Sequence, residues 1–88
     1  MYKGKFYSTI QKCKKNKLKY TIYTDIPFSI EYGAVSYMKI YEDCANYATT
    51  ITDIDEDGVE FKMEMKGRGD TKYKVIPFEN ILCIEMNE

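Results

Sequence analysis

Val59, Phe61, Met63 and Met65 alternate with Glu60, Lys62, Glu64 and Lys66. A period of two places the apolar set on one face of a strand and the charged set on the other, so this segment demands a sheet with one buried side. The neighbouring stretches fit the same sheet. Tyr47 to Thr52 is rich in β-branched and aromatic residues, and Asp53-Ile54-Asp55-Glu56-Asp57-Gly58 joins the two runs with an Asp-Gly pair suited to the positive-φ positions of a hairpin turn. Lys66-Gly67-Arg68-Gly69-Asp70 supplies a second turn, and Thr71 to Ile76 alternates again. Pro77 cannot donate to a ladder and ends that strand, Phe78-Glu79-Asn80 makes a short turn, and Ile81 to Ile84 closes the series.

The N-terminal third is harder to divide. Lys17 to Thr24 alternates as a strand, and Phe6-Tyr7-Ser8-Thr9-Ile10 carries β propensity. Lys14-Lys15-Asn16 suits a turn between them, which predicts a basic hairpin over 1–24, with a short helix over 3–13 as the alternative. Asp25-Ile26-Pro27 is expected to break the strand. In residues 28–46, Ile30, Ala34, Met38 and Tyr41 fit a helical face, while Val35 to Tyr41 fits a strand equally well by propensity. A bend at Gly33 followed by a strand from Val35 to Tyr41 is the preferred reading. The fold class is therefore mostly β: a small antiparallel, barrel-like single domain with an N-terminal basic hairpin or short helix.

An 88-residue domain buries only about 60–65% of the surface its unfolded chain exposes, so self-association would help it. A hydrophobic content of 44% with nine Tyr and four Phe is well above that of disordered chains. No signal-like apolar run follows the N-terminus and no apolar run is long enough to span a bilayer, which points to a cytoplasmic protein without a membrane partner. Three cysteines and no histidine leave neither a zinc set nor a thiol–imidazole pair. There is no P-loop and no nucleophile elbow either, so no enzyme activity, cofactor or metal is expected.

The net charge of −1 conceals a division. Residues 1–24 hold Lys3, Lys5, Lys12, Lys14, Lys15, Lys17 and Lys19 with no acid, a balance of +7, whereas residues 25–88 hold six bases and fourteen acids, a balance of −8. Clustered lysines attract phosphate irrespective of sequence. Lys12, Lys14, Lys15, Lys17 and Arg68 are the candidate phosphate ligands, and Tyr20 and Tyr23 are the candidates to stack on a base. The plainer alternatives are a basic hairpin lying on an acidic face of its own or a neighbouring subunit, a Gly-Arg-Gly stretch that is only a turn, and tyrosines that belong to a core or subunit interface. Asp53, Asp55, Asp57, Gly58 and Glu64 match the EF-hand expression letter for letter. Glu60 at the usually aliphatic eighth position and the strand-like flanks favour a hairpin instead.

The succession of strand, Asp-rich turn, strand, Gly-rich turn and strand, ending in Val75-Ile76-Pro77-Phe78-Glu79-Asn80 before Ile81-Leu82-Cys83-Ile84-Glu85, resembles the small Sm-like barrels, Hfq-like proteins among them, over roughly residues 35–86. The resemblance implies a small Sm-like or SH3-like antiparallel barrel and a homo-oligomer assembled by pairing the last two strands of neighbouring subunits. The family's RNA-contacting positions do not carry over, because the acidic Asp53–Gly58 loop and Phe78-Glu79-Asn80 replace them. The functional expectation is a non-enzymatic homo-oligomeric module for a nucleotide-like or nucleic-acid ligand. The Tyr-, Lys-, Asn- and Ile-rich composition suits a phage or mobile-element accessory protein that sequesters a signalling nucleotide. The competing expectation is a protein-directed inhibitor or adaptor whose acidic surface, Asp53 to Glu64, mimics nucleic acid toward a basic protein partner.

Overall fold

The computed structural model describes residues Met1–Glu88, and one helix and six strands account for most of them. Residues 3–15 form a helix, α1 (Lys3–Lys15), rather than the first strand of a basic hairpin. Phe6, Ile10 and Cys13 explain why. Their spacing of four and three puts all three on one helical face, and all three are buried. As a strand the same residues would fall on both faces. The helix ends in a Schellman arrangement: Leu18 N–H donates to Cys13 O at 2.9 Å and Lys17 N–H donates to Lys14 O at 3.1 Å. Lys17 takes the left-handed position, φ 55°, that glycine usually fills.

β1 (Lys19–Glu31) is the centre of an antiparallel sheet ordered β2-β1-β6, with β2 (Ala34–Tyr41) and β6 (Ile81–Asn87) at its edges. Pro27 does not end β1. The register shifts on both sides of the Pro27↔Tyr37 pair, and β6 pairs with β1 only as far as Thr24↔Ile81. Pro27 therefore sits where one side of the strand is already open and a bulge absorbs the irregularity. Tyr32 and Gly33, at φ 51° and 78°, turn β1 into β2 with both central residues left-handed, as a tight hairpin requires. The expected bend at Gly33 and strand to Tyr41 are borne out.

The second sheet, ordered β3-β4-β5, contains β3 (Tyr47–Ile54), β4 (Gly58–Met65) and β5 (Thr71–Pro77), the two hairpins read from the alternating residues. Gly58 serves a purpose other than the one expected of it. Its φ is not positive; instead a Cβ there would stand 2.5 Å from Ile76 O on β5, so the position needs a residue without a side chain. A 3-10 turn, Phe78–Asn80, follows Pro77 and leads into β6.

The two three-stranded sheets do not close into a barrel. Ile22 and Ile40 from the first meet Val59, Phe61 and Ile76 from the second, and α1 covers the remaining side with Phe6, Ile10 and Cys13. Phe6 and Phe78 pack at 5.6 Å between ring centroids, and the Met1 ammonium donates to Phe78 O and Ile81 O. The corner from β2 to β3 is fixed by Thr49 N–H to Glu42 O at 2.8 Å and by Asp43, which accepts from both Lys19 and Lys66. Those two ammonium groups, Lys66 foremost, hold the Asp43 carboxyl down at about 2.

Candidate phosphate-binding end of the molecule

The basic N-terminal residues become a helix end. Lys12, Lys14 and Lys15 occupy the last turn of α1 and Lys17 the left-handed position just past the cap residue Asn16, all exposed, where their charges also complement the carbonyls left free at the helix C-terminus. None of the four takes part in an ion pair, whereas Lys3, Lys19, Lys62, Lys66 and Arg68 each have a carboxylate partner. Apart from Lys5 in its first turn, the unpaired cations of α1 are therefore gathered at its C-terminal end.

The two flanks of α1 are grooves. Tyr7, Gln11 and Lys14, at helical spacings of four and three, face Ile51 to Ile54 of β3 across a groove of about 300 Å³. Lys14 and Ile51 also line an adjoining cavity of about 140 Å³, with Tyr20, Glu42, Thr49 and Thr50. On the opposite flank Lys5, Thr9 and Lys12 face Cys83, Ile84 and Met86 of β6. Lys14 thus lines two neighbouring cavities of mixed polarity beside β3, with Asp53 in the first and Glu42 in the second, and the outer edge of β3 is unpaired along most of its length.

The seven candidate residues are only partly assembled. Lys12, Lys14, Lys15 and Lys17 lie together. Arg68, in the β4–β5 turn, comes to the same end of the molecule, because Lys19 at the start of β1 and Lys66 at the end of β4 both hold Asp43. Its guanidinium stands 3.4 Å from Asp70, so a phosphate would compete with an existing partner. Tyr20 is buried in the core, which removes its ring from stacking. Its hydroxyl has no hydrogen-bond partner, and burial, with the Glu42 charge nearby, pushes the phenol pKa far up. Tyr23 faces away from α1, opposite Lys39 and Cys83, with the Lys39 ammonium 5.3 Å from its ring centroid. It does not join the lysines of α1. Tyr7 and Gln11 are the residues that strand-based reading passed over; the signal was their spacing to Lys14, which has meaning only on a helix.

The acidic turn is structural at its centre. The Asp55 carboxylate accepts from Asp57 N–H at 2.8 Å and Gly58 N–H at 2.9 Å, and these bonds lower its pKa. Glu56 pairs with Lys3. Strands flank the turn on both sides, as the hairpin reading requires and an EF-hand does not. Cys13 donates its thiol to Leu18 O, and burial followed by the Glu42 charge raises its pKa, the opposite of what an activated nucleophile needs. No helix is long and apolar enough to cross a membrane. Comparison with protein-family models, curated proteins and solved structures finds no match.

Proposed function

We propose that the chain is a non-enzymatic, homo-oligomeric binding module that holds the phosphates of a nucleotide-like or nucleic-acid ligand at the C-terminal end of α1. The observation that carries this reading is the group of four lysines at the C-terminal end of α1, Lys12, Lys14, Lys15 and Lys17, free of ion-pair partners, of which Lys14 reaches the groove between α1 and β3. Tyr7, exposed on the groove wall, replaces Tyr20 and Tyr23 as the residue placed to stack on a base. The outer edges of β5 and β6 are unpaired, which supports association of the kind the Sm-like resemblance implies. Sequestration of a signalling nucleotide by a phage or mobile-element accessory protein is the biological setting most consistent with this reading.

The test is fluorescence anisotropy with a labelled single-stranded oligonucleotide and with mononucleotide competitors, across a salt series. Lys14→Glu combined with Lys15→Glu is expected to weaken binding at least tenfold. It should also flatten the plot of log affinity against log salt by roughly 0.7 for each lost contact to a single strand. Unchanged affinity and slope would reject the site.

A further inference from the structure

The β1–β2 hairpin has two halves. From Lys19 to Thr24, β1 lies between β2 and β6; from Pro27 to Glu31 it pairs with β2 alone, so the tip is a two-stranded ribbon projecting from the sheet. A lone two-stranded ribbon is marginally stable in water. Phe28, Ile30, Val35 and Tyr37 alternate with Ser29, Glu31, Ala34 and Ser36, and Ile30 pairs directly with Val35, so the four large apolar residues share one face. That face is bare. Phe28 is 71% exposed, Ile30 72%, Val35 42% and Tyr37 52%, and Tyr32 at the tip is fully exposed. The face runs without a break into a groove of about 150 Å³ that Phe28 and Tyr37 share with Met38, Tyr47 and Met63, with Lys39 and Lys74 beside them.

We infer that the cover for this face is the same ribbon of a second copy of the chain, packed face to face and head to tail about a two-fold axis. Area and charge argue for that occupant. At about 200 Å² for a fully exposed aromatic residue, the five side chains present about 600 Å², most of the roughly 800 Å² that each partner contributes to a standard interface. Between Asp25 and Tyr37 the only charges are Asp25 and Glu31, while the groove carries Lys39 and Lys74. Of these two acids Asp25 lies at the base, where it accepts from Asn80, and Glu31 adjoins the tip. Its side chain leaves the other face, but head-to-tail packing carries its charge toward the Lys39 and Lys74 end of the other copy, and the two-fold repeats the match. The contact takes only the Lys74 side chain from β5 and uses the backbone edge of neither β5 nor β6, so it is additional to edge pairing. It rests on the self-association in the proposed function and not on the ligand.

Sedimentation equilibrium of the full chain tests it. Ile30→Lys with Val35→Lys is expected to halve the mass of the wild-type assembly, whereas Ser29→Lys with Ser36→Lys, on the other face, should leave it unchanged. Far-ultraviolet circular dichroism identifies any variant that fails to fold. For that case, hydrogen exchange of the wild-type protein gives an independent readout: amides in residues 28–37 should slow as concentration rises, while those of α1 should not. An assembly whose mass ignores the Ile30 and Val35 changes but falls on substitution in β6 overturns this inference and leaves the proposed function standing. A monomeric wild type overturns both, and exchange at 28–37 independent of concentration overturns the ribbon contact alone.

Discussion

The base and the arm of the β1–β2 hairpin are written in the same pattern and end in opposite environments. Tyr20, Ile22, Thr24 and Ile40 at the base are buried; Phe28, Ile30, Val35 and Tyr37 in the arm are open. Both alternate as a half-buried strand should. The difference is what surrounds them. The base has β6 on its free edge and α1 across its face, whereas the arm has lost β6 after Thr24 and extends beyond the core. Alternation therefore records which face must be covered, and says nothing about which chain supplies the cover.

The largest effect that would sharpen this contrast comes from truncating equivalent isoleucines in the two regions. Ile22→Ala, in a fully buried site, is expected to cost about 2–5 kcal/mol of stability. Ile30→Ala should shift the unfolding of the dissociated subunit by less than about 0.5 kcal/mol, because little is buried there without a partner. Chemical denaturation at low protein concentration compares them, and equal losses would break the distinction. Next in size is Gly58→Ala. Because the added methyl meets Ile76 O, a backbone atom that cannot swing away, the cost should be about 1–3 kcal/mol. No loss would show that the β4–β5 approach is looser than the structure has it.

A smaller change should stabilise. Lys17 pays a steric penalty in its left-handed cap, so Lys17→Gly is expected to raise stability by about 0.5–1 kcal/mol, net of the greater chain freedom of glycine when unfolded. The same substitution removes one candidate phosphate ligand, which makes it a test of stability and binding together. Smallest is the pH effect at the corner. Asp43 titrates at about 2 in the folded chain against 3.8 ordinarily, so its contribution is complete above 3.8 and is lost as pH falls toward 2. Asp43→Asn should reduce the loss of stability over that interval, measured by thermal unfolding; an unchanged acid profile would show that the Lys19 and Lys66 contacts contribute nothing.

The legible parts of the chain were those whose pattern and punctuation agreed. In β3 to β6 each alternating run is bounded by Asp-Gly, Gly-Arg-Gly or Pro77, and the structure places the hairpins and the 3-10 turn there. Local propensity misled at α1, where Phe6 to Ile10 has the composition of a strand but Phe6, Ile10 and Cys13 together have the spacing of a helix. Pro27 misled for another reason: whether proline ends a strand depends on the neighbour across from it, and β6, whose pairing stops at Thr24↔Ile81, arrives from 57 residues further along the chain. The candidate lysines were found because charge clusters survive a change of secondary structure. Tyr20 was misplaced because burial depends on which strand face α1 covers, and the helix was the less favoured reading.

Native mass spectrometry of gently purified protein in low salt bears on the whole account at once, since it weighs the assembly and anything it retains. An even number of copies carrying added mass in the nucleotide range is the expected result. A bare monomer would contradict both the covered ribbon and the phosphate-binding end of α1.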